Sequence, residues 1–190
     1  MKAIPVTRRL TTQAKLLTLL FLFLLVQAGE AQDVANGQAT ATVLAGLAVT
    51  AVQDLAFGNV LQGVAKSTPN NDDANSGIFS ITGAASAGIS IYLTLPDYMA
   101  LADGSDRMTI AFSSTDATVD TTVATPSTVV AGDGWVNVNP RGLSGLAGGP
   151  VVGAGGQTDL YLGGRVTPTV DQKAGAYTGD IICTVAYDGT

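Results

Sequence analysis

The chain has 190 residues with a formal net charge of −6, a single cysteine and no histidine. Nucleic acid phosphates and anionic membrane surfaces repel an acidic chain with scattered cations, so neither is expected as a partner. Without histidine the chain lacks the commonest general base and the commonest zinc ligand, and one cysteine forms no disulfide within a chain. A lysine-activated nucleophile has weak support from Lys66 beside Ser67 and from Lys173 beside the turn before Gly175. Solvated surface lysines explain both positions as well. We therefore expect a protein that is not an enzyme and needs no cofactor.

The first element, residues 1–31, is typical of a secretory signal peptide. Four basic residues precede a run over residues 16–26 that is apolar apart from Thr18, and small residues follow around Gly29 and Ala31. That run falls short of the roughly 20 residues that a helix needs to cross a bilayer, so we prefer cleavage after Ala31 to a transmembrane anchor. Cleavage leaves five basic residues against fourteen aspartates, a net charge of −9. We expect a secreted protein, extracellular or on the outer cell surface, with no membrane insertion after cleavage.

The remaining residues, 32–190, are expected to form one domain, since their number suits a single core and is short for two. Residues 32–45 are small and polar, and they form either the first strand of this domain or a strand donated to another subunit. Alternation of apolar and polar residues predicts the strands that follow. These strands lie within residues 43–60, 77–83, 88–96, 107–114, 134–140, 157–166 and 181–187.

Gly, Asn, Asp, Ser and Pro are dense in residues 67–77, 96–106 and 147–157, which are therefore predicted to be connections. No window of residues 32–190 shows a run at helical spacing, and the abundant Thr, Val, Ser and Gly disfavour long helices. One apolar face per strand requires a second sheet to cover it. The predicted fold is therefore all-β, an immunoglobulin-like antiparallel β-sandwich of about seven to nine strands.

Two stretches raise the question of a bound ion. Asn71, Asp72, Asp73 and Asn75 supply oxygen ligands of the type that calcium prefers, but the loop lacks the central glycine and the closing glutamate of a calcium-binding hand. The glycine-rich connection at 147–157 is followed by no Lys-Ser or Lys-Thr pair and is flanked by strands, so it is not a phosphate loop. No metal site is assigned, and the calcium candidate stays open.

The two ends of the predicted domain carry recognisable motifs. The opening one is the apolar-Phe-Gly step at Leu55, Phe57 and Gly58. The closing one is a Gly-x-Tyr-x-Gly turn that feeds a last strand, with residues Gly175, Tyr177, Gly179, Ile181, Cys183, Val185 and Tyr187. Together they resemble the bacterial secreted family catalogued as domain of unknown function 4402, and more distantly spore coat protein U and chaperone-usher fimbrial subunits. Those fimbrial subunits commonly hold a disulfide, which this chain cannot form.

The resemblance implies a structural subunit of an extracellular filament, pilus or surface layer, assembled by β-strand addition between subunits. Its partners would be copies of itself, with a periplasmic chaperone as a further expectation. The candidate donor residues face a neighbour's groove on alternate positions, Ala39, Ala41, Val43 and Ala45, while Thr40 and Thr42 face water. The alternative is a monomeric secreted or cell-surface module whose loops bind a glycan, calcium or a surface partner.

Overall fold

The computed structural model of the protein describes residues 37–189. The predicted signal peptide, residues 1–31, lies outside the described residues. Contacts divide the chain into two units, Met1–Thr42 and Val43–Thr190. In the first unit, residues 37–42 are exposed and contain no strand. One domain over 32–190 stays a prediction, because the described residues cover only part of that range.

Twelve strands and two short 3₁₀ turns make up the regular structure of the described residues. The strands are β1 (Ala48–Gln53), β2 (Lys66–Thr68), β3 (Gly77–Thr82), β4 (Ile89–Thr94), β5 (Tyr98–Leu101), β6 (Arg107–Ala111), β7 (Ala117–Asp120), β8 (Gly134–Val138), β9 (Gln157–Leu162), β10 (Gly164–Thr167), β11 (Tyr177–Thr178) and β12 (Ile182–Tyr187). The turns are Pro126–Thr128 and Leu143–Gly145. All strand pairs are antiparallel, which confirms the predicted all-β sandwich. In the described part of the chain no helix has the length and apolar character needed to cross a membrane.

The first layer of the sandwich is a five-stranded sheet in the order β1-β3-β9-β7-β8. β9 is its centre and is buried along almost its whole length, because the inner face meets the second layer and the outer face lies beneath the 121–130 connection. β1 and β8 are the edge strands of this sheet, and the burial of β1 alternates only weakly.

The second layer consists of β12-β4 and the five strands β11-β5-β6-β10-β2. β12 pairs antiparallel with β4, and β11 pairs antiparallel with β5. The two pairings have different registers, and the break between them lies at Pro96 and Gly179. The order β1-β3-β9-β7 opposite β12-β4 corresponds to strands A-B-E-D and F-C of an immunoglobulin-type sandwich. In that type a further strand, G, pairs with strand F.

Two apolar clusters lie between and beside the layers. The main one holds the sandwich together and includes the fully buried Ile81, Leu160 and Leu162. The second lies under the β5-β6-β10 part of the second layer and consists of Phe57, Met108, Ile110 and Val166, with half-buried side chains around them.

The structure corrects three details of the predicted strand pattern. Residues 96–106, predicted as a connection, contain β5, and residues 157–166, predicted as one strand, are divided at Gly163 into β9 and β10. A Cβ on Gly163 would lie 2.6 Å from the backbone of Thr68 and Asn70, so only glycine fits this crossing. The number of strands exceeds seven to nine because β2, β7 and β11 have only two to four residues, too few to show alternation.

Candidate functional site

The outer edges of β1 and β12 face each other across the side of the sandwich. Among the described residues β1 pairs only with β3, and β12 only with β4. The two strands run in opposite directions, since Tyr187 at the end of β12 lies beside Ala45 just before β1, whereas Ile182 at its start lies near Gln53 at the end of β1. Neither outer edge pairs with a further strand among residues 37–189, and the two strands approach each other at the end where Tyr187 bonds to Ala45.

A cavity of about 620 Å³ opens where β1 and β12 diverge. Gln53 of β1 and Phe79 of β3 form one side, and residues 177–182 form the other, with Met99 and Leu55 beneath. This is the position that the seventh strand of an immunoglobulin-type sandwich would occupy beside strand F. No strand of residues 37–189 fills it.

A second cavity, of about 880 Å³, adjoins the first and shares three lining residues with it, Leu55, Met99 and Tyr177. Its walls are residues 55–62 on one side and 168–177 on the other. We call the two cavities together the groove.

Both sequence motifs line this groove. Leu55 and Phe57 follow β1, where the chain crosses from the first layer to the second, and Phe57 is buried in the second apolar cluster. Gly58 has φ +57°, a left-handed conformation that favours glycine, and so turns the chain after Phe57. The opening motif is thus a crossing between layers rather than part of a strand.

The closing turn forms the opposite wall. A Cβ on Gly175 would lie 2.6 Å from the side chain of Leu101, and one on Gly179 would lie 3.2 Å from the carbonyl oxygen of Tyr98. Both glycines therefore allow residues 175–179 to pack closely against β5. Tyr177, between them, points its ring into the groove.

The hydroxyl group of Tyr177 is held by a polar network. It donates to the carboxylate of Asp106 at 2.6 Å and accepts from the side-chain amide of Gln172 at 2.9 Å. The bond from Tyr177, together with one from the backbone N–H of Lys173, lowers the pKa of Asp106 to about 2. The Asp106 carboxylate is therefore ionised near neutral pH and fixes the 172–177 wall to the β5-β6 turn.

The remaining residues of the closing motif lie on one face of the last strand. Ile181, Cys183, Val185 and Tyr187 are half-buried and pack against the main cluster. Burial raises the pKa of the Cys183 thiol to about 11. The Tyr187 hydroxyl donates to the carbonyl of Ala45 and accepts from the N–H of Ala84, at 2.8 and 2.7 Å.

The candidate donor residues are placed in exposed coil. Ala39 and Ala41 belong to the first unit, and Val43 and Ala45 to the second. The side chain of Val43 is 94% exposed. Residues 37–47 contain no strand, so the alternative in which they pair within their own sandwich is not seen in the described structure.

In the candidate calcium loop the carboxylates of Asp72 and Asp73 accept hydrogen bonds from other groups of the protein. Asp72 accepts from the N–H groups of Ala74 and Asn75 and from the Asn75 amide. Asp73 accepts from the N–H and hydroxyl of Ser127. The side chain of Asn71 is exposed beside them. Across residues 37–189, no group of three or more His, Cys, Asp or Glu side chains is arranged to hold a metal ion.

A family model described as Domain of unknown function (DUF4402) matches residues 47–187. The chain belongs to this family. The matched range contains every groove wall, together with the opening and closing motifs that carried the resemblance in the sequence. No curated protein matches the chain. The more distant likeness to spore coat protein U and fimbrial subunits stays a prediction.

Sequence reasoning missed the groove residues that lie outside the two motifs. Met99 and Met108 line its floor, and Gln172 and Lys173 line one wall. Met99 falls in the stretch mistaken for a connection, and Gln172 and Lys173 precede the closing glycine without any alternation. The pairing of Asp106 with Tyr177 joins residues 71 positions apart, for which the sequence carries no signal.

Proposed function

We propose that this DUF4402 protein is a secreted structural subunit of an extracellular filament, pilus or surface layer, and that its copies assemble by β-strand addition. The role is not enzymatic. The observation that supports it is the pair of open, facing edges on β1 and β12, with a cavity between them where an immunoglobulin-type sandwich has a further strand.

A strand added there would hydrogen-bond to the free edge of β12 and place alternate side chains in the groove. Such pairing takes its affinity from main-chain hydrogen bonds and its register from the side-chain pockets. Ile181, Val185 and the ring of Tyr187 would flank the buried side chains of the incoming strand, since all three are only half-buried in the isolated subunit.

The donor we propose is residues 38–45 of another copy. In that segment Ala39, Ala41, Val43 and Ala45 would enter the groove, and Thr40 and Thr42 would face solvent. The segment is exposed and outside any strand in the described structure. Donation from one copy to the next is head-to-tail, so the assembly does not close on itself and grows as a filament.

The test is a gel of material sheared from producing cells, run in detergent with reductant, with and without boiling. We expect a ladder of multiples of the mature mass that collapses on boiling, because strand-exchanged polymers dissociate slowly. Deleting residues 33–45 should abolish the ladder.

A matched pair of variants separates strand addition from general disturbance. Ala41→Asp would place a charge in the groove and abolish the ladder, whereas Thr42→Asp, one residue on, would place it in solvent and leave the ladder unchanged. A single monomer band in every sample contradicts the proposal. It would favour a monomeric binding module, for which the larger cavity has a suitable volume, since ligand pockets measure roughly 300–1,000 Å³.

A further inference from the structure

The larger cavity has an apolar floor beneath an open mouth. Phe57 and Met108 are each 6% exposed and belong to the second apolar cluster, and Met99 and the ring of Tyr177 pack beside them. Methionine side chains adapt to ligands of different shape because they are flexible and polarizable. The floor is thus suited to an apolar chain or ring.

The two walls are tied together, so the cavity is formed in the absence of a ligand. At one end the side-chain amide of Gln62 donates to the carbonyl of Gln172, and the N–H of Gly63 donates to the carbonyl of Thr169 at 2.9 Å. At the other side the Asp106 network fixes Tyr177. A preformed cavity lowers the entropic cost of binding.

Lys173 lines one wall of the cavity, and Lys66 on β2 lies behind the opposite wall, in a chain that has only five basic residues after residue 31. The Lys173 ammonium donates to the carbonyl of Ser105 at 3.3 Å, and the Lys66 ammonium to the carbonyl of Asn59, a lining residue, at 3.1 Å. The side-chain ion pair found within residues 37–189 joins Arg141 to Asp97, and neither lysine takes part in it.

The nearby carboxylate of Asp106 is already saturated with donors. It accepts from the Tyr177 hydroxyl, the Gln172 amide and the backbone N–H groups of Arg107 and Lys173. These bonds keep the Asp106 carboxylate ionised, with its charge shared among four donors rather than removed.

We propose that this cavity binds an amphipathic anion, with an acyl chain or aromatic ring on the floor of Phe57, Met99 and Met108 and a carboxylate or phosphate head at the mouth beside Lys173, on which Lys66 acts from behind the opposite wall. The walls of this site belong to one subunit, and the site shares Leu55, Met99 and Tyr177 with the smaller cavity beside β12, where the added strand is proposed to lie. The same chemistry is found in a free fatty carboxylate and in the headgroup region of an anionic lipid bilayer.

The test uses fluorescence of 1-anilinonaphthalene-8-sulfonate, whose ring and sulfonate reproduce the proposed ligand. We expect saturable binding at one site per chain in the folded protein. Dodecanoate below its micelle concentration should displace the probe, and dodecyltrimethylammonium, with the same chain and the opposite charge, should not. Displacement by phosphatidylglycerol vesicles in addition would identify a lipid source, and displacement by dodecanoate alone a free carboxylate.

Variants locate the site. Lys66→Gln with Lys173→Gln should weaken dodecanoate binding about tenfold, because each exposed charge contact contributes roughly twofold to fivefold. Ala176→Glu, at an exposed lining position, should abolish binding, whereas the distant Arg141→Gln should leave it unchanged. Equal displacement by the anionic and cationic amphiphiles, undiminished binding in Ala176→Glu, or co-sedimentation with vesicles without dodecanoate displacement would each overturn the proposal.

Discussion

The backbone of Val123 is strained, and burial of its side chain does little to compensate for this strain. It has φ +58°, a left-handed conformation that is unfavourable for a β-branched residue, and 42% of its side chain is exposed. The carboxylate of Asp120 imposes this conformation by accepting from the N–H groups of Thr122 and Ala124, on either side of Val123, at 2.8 and 2.7 Å. The loop that covers the outer face of the first sheet thus stores strain at one residue.

Val123→Gly should therefore stabilise the protein. Removing the left-handed penalty gains about 1–2 kcal/mol, from which the greater entropy of glycine in the unfolded chain subtracts about 0.5–1 kcal/mol. A rise of about 1 kcal/mol in the free energy of unfolding, measured from urea transitions, is expected. Val130→Gly is the control, since Val130 is exposed in the same connection without a positive φ and should gain nothing.

Asp106 gives stability a dependence on acid pH. Its bonds with Tyr177 and the Lys173 N–H lower its pKa from 3.8 to about 2. A group whose pKa is depressed by folding stabilises the native state fully above its pKa in the unfolded chain, and this contribution disappears as the pH falls. The relevant window runs from about pH 4 down to about pH 2.

We therefore expect Asp106→Asn to lower the urea midpoint at pH 6 and to have a progressively smaller effect between pH 4 and pH 2. In a Tyr177→Phe background, which removes the strongest donor, the pH-dependent part of the effect should shrink because the two groups are coupled. A difference between Asp106→Asn and the unsubstituted protein that is the same at pH 6 and pH 2.5 would contradict this account.

At the scale of elements, the glycine-rich 147–157 connection is a packed turn rather than a ligand-binding loop. Gly153 is buried, its N–H donates to the hydroxyl of Thr158, and a Cβ on it would overlap the carbonyl oxygens of Thr121 and Gln157. Gly155, two residues on, has no neighbour within 4 Å of such a Cβ. Packing therefore requires glycine at position 153 but not at position 155.

Gly153→Ala should lower the free energy of unfolding by about 1–3 kcal/mol, because the backbone of two other segments must move to admit the methyl group. Gly155→Ala should be neutral or stabilising by up to about 1 kcal/mol, since alanine reduces the entropy of the unfolded chain. Thermal unfolding of the two variants in parallel measures the contrast. Equal effects would show that the turn is not packed as described.

Elements with a clean alternation could be predicted from the sequence, and those governed by tertiary contacts could not. Ile89 and Ile91 are buried and Tyr92 is exposed, as alternation along β4 requires. β11 has two residues and exists because Tyr177 and Thr178 pair with Leu101 and Ala100. Such a short strand has no pattern of its own, so only the fold reveals it.

At the scale of the whole molecule, the sandwich brings together two motifs that lie more than a hundred residues apart. The sequence pointed to Leu55 and to the Gly175–Gly179 turn separately, through a family resemblance. Their meeting in one groove depends on the order β1-β3-β9-β7 opposite β12-β4, which long-range pairings determine. The positions of Met99, Met108, Lys66 and Lys173 at the larger cavity depend on the same topology. The sequence around each of these residues does not predict that position.

The open edge makes the stability of the molecule depend on what occupies the groove. A chain without residues 33–45 should be stabilised by a peptide of residues 38–47, because a ligand that binds only the folded state raises the free energy of unfolding. At a free peptide concentration one hundred times its Kd the gain is about 2.7 kcal/mol, which for a domain of this size raises the Tm by about 5–10 °C. The shift should saturate with peptide concentration and should vanish with an Ala41→Asp peptide while persisting with a Thr42→Asp peptide, since position 41 faces the groove and position 42 faces solvent. If none of the three peptides changes the Tm, or if the Ala41→Asp peptide raises it as much as the unsubstituted peptide, this segment is not the donor. Strand addition would then have to use another part of the neighbouring chain.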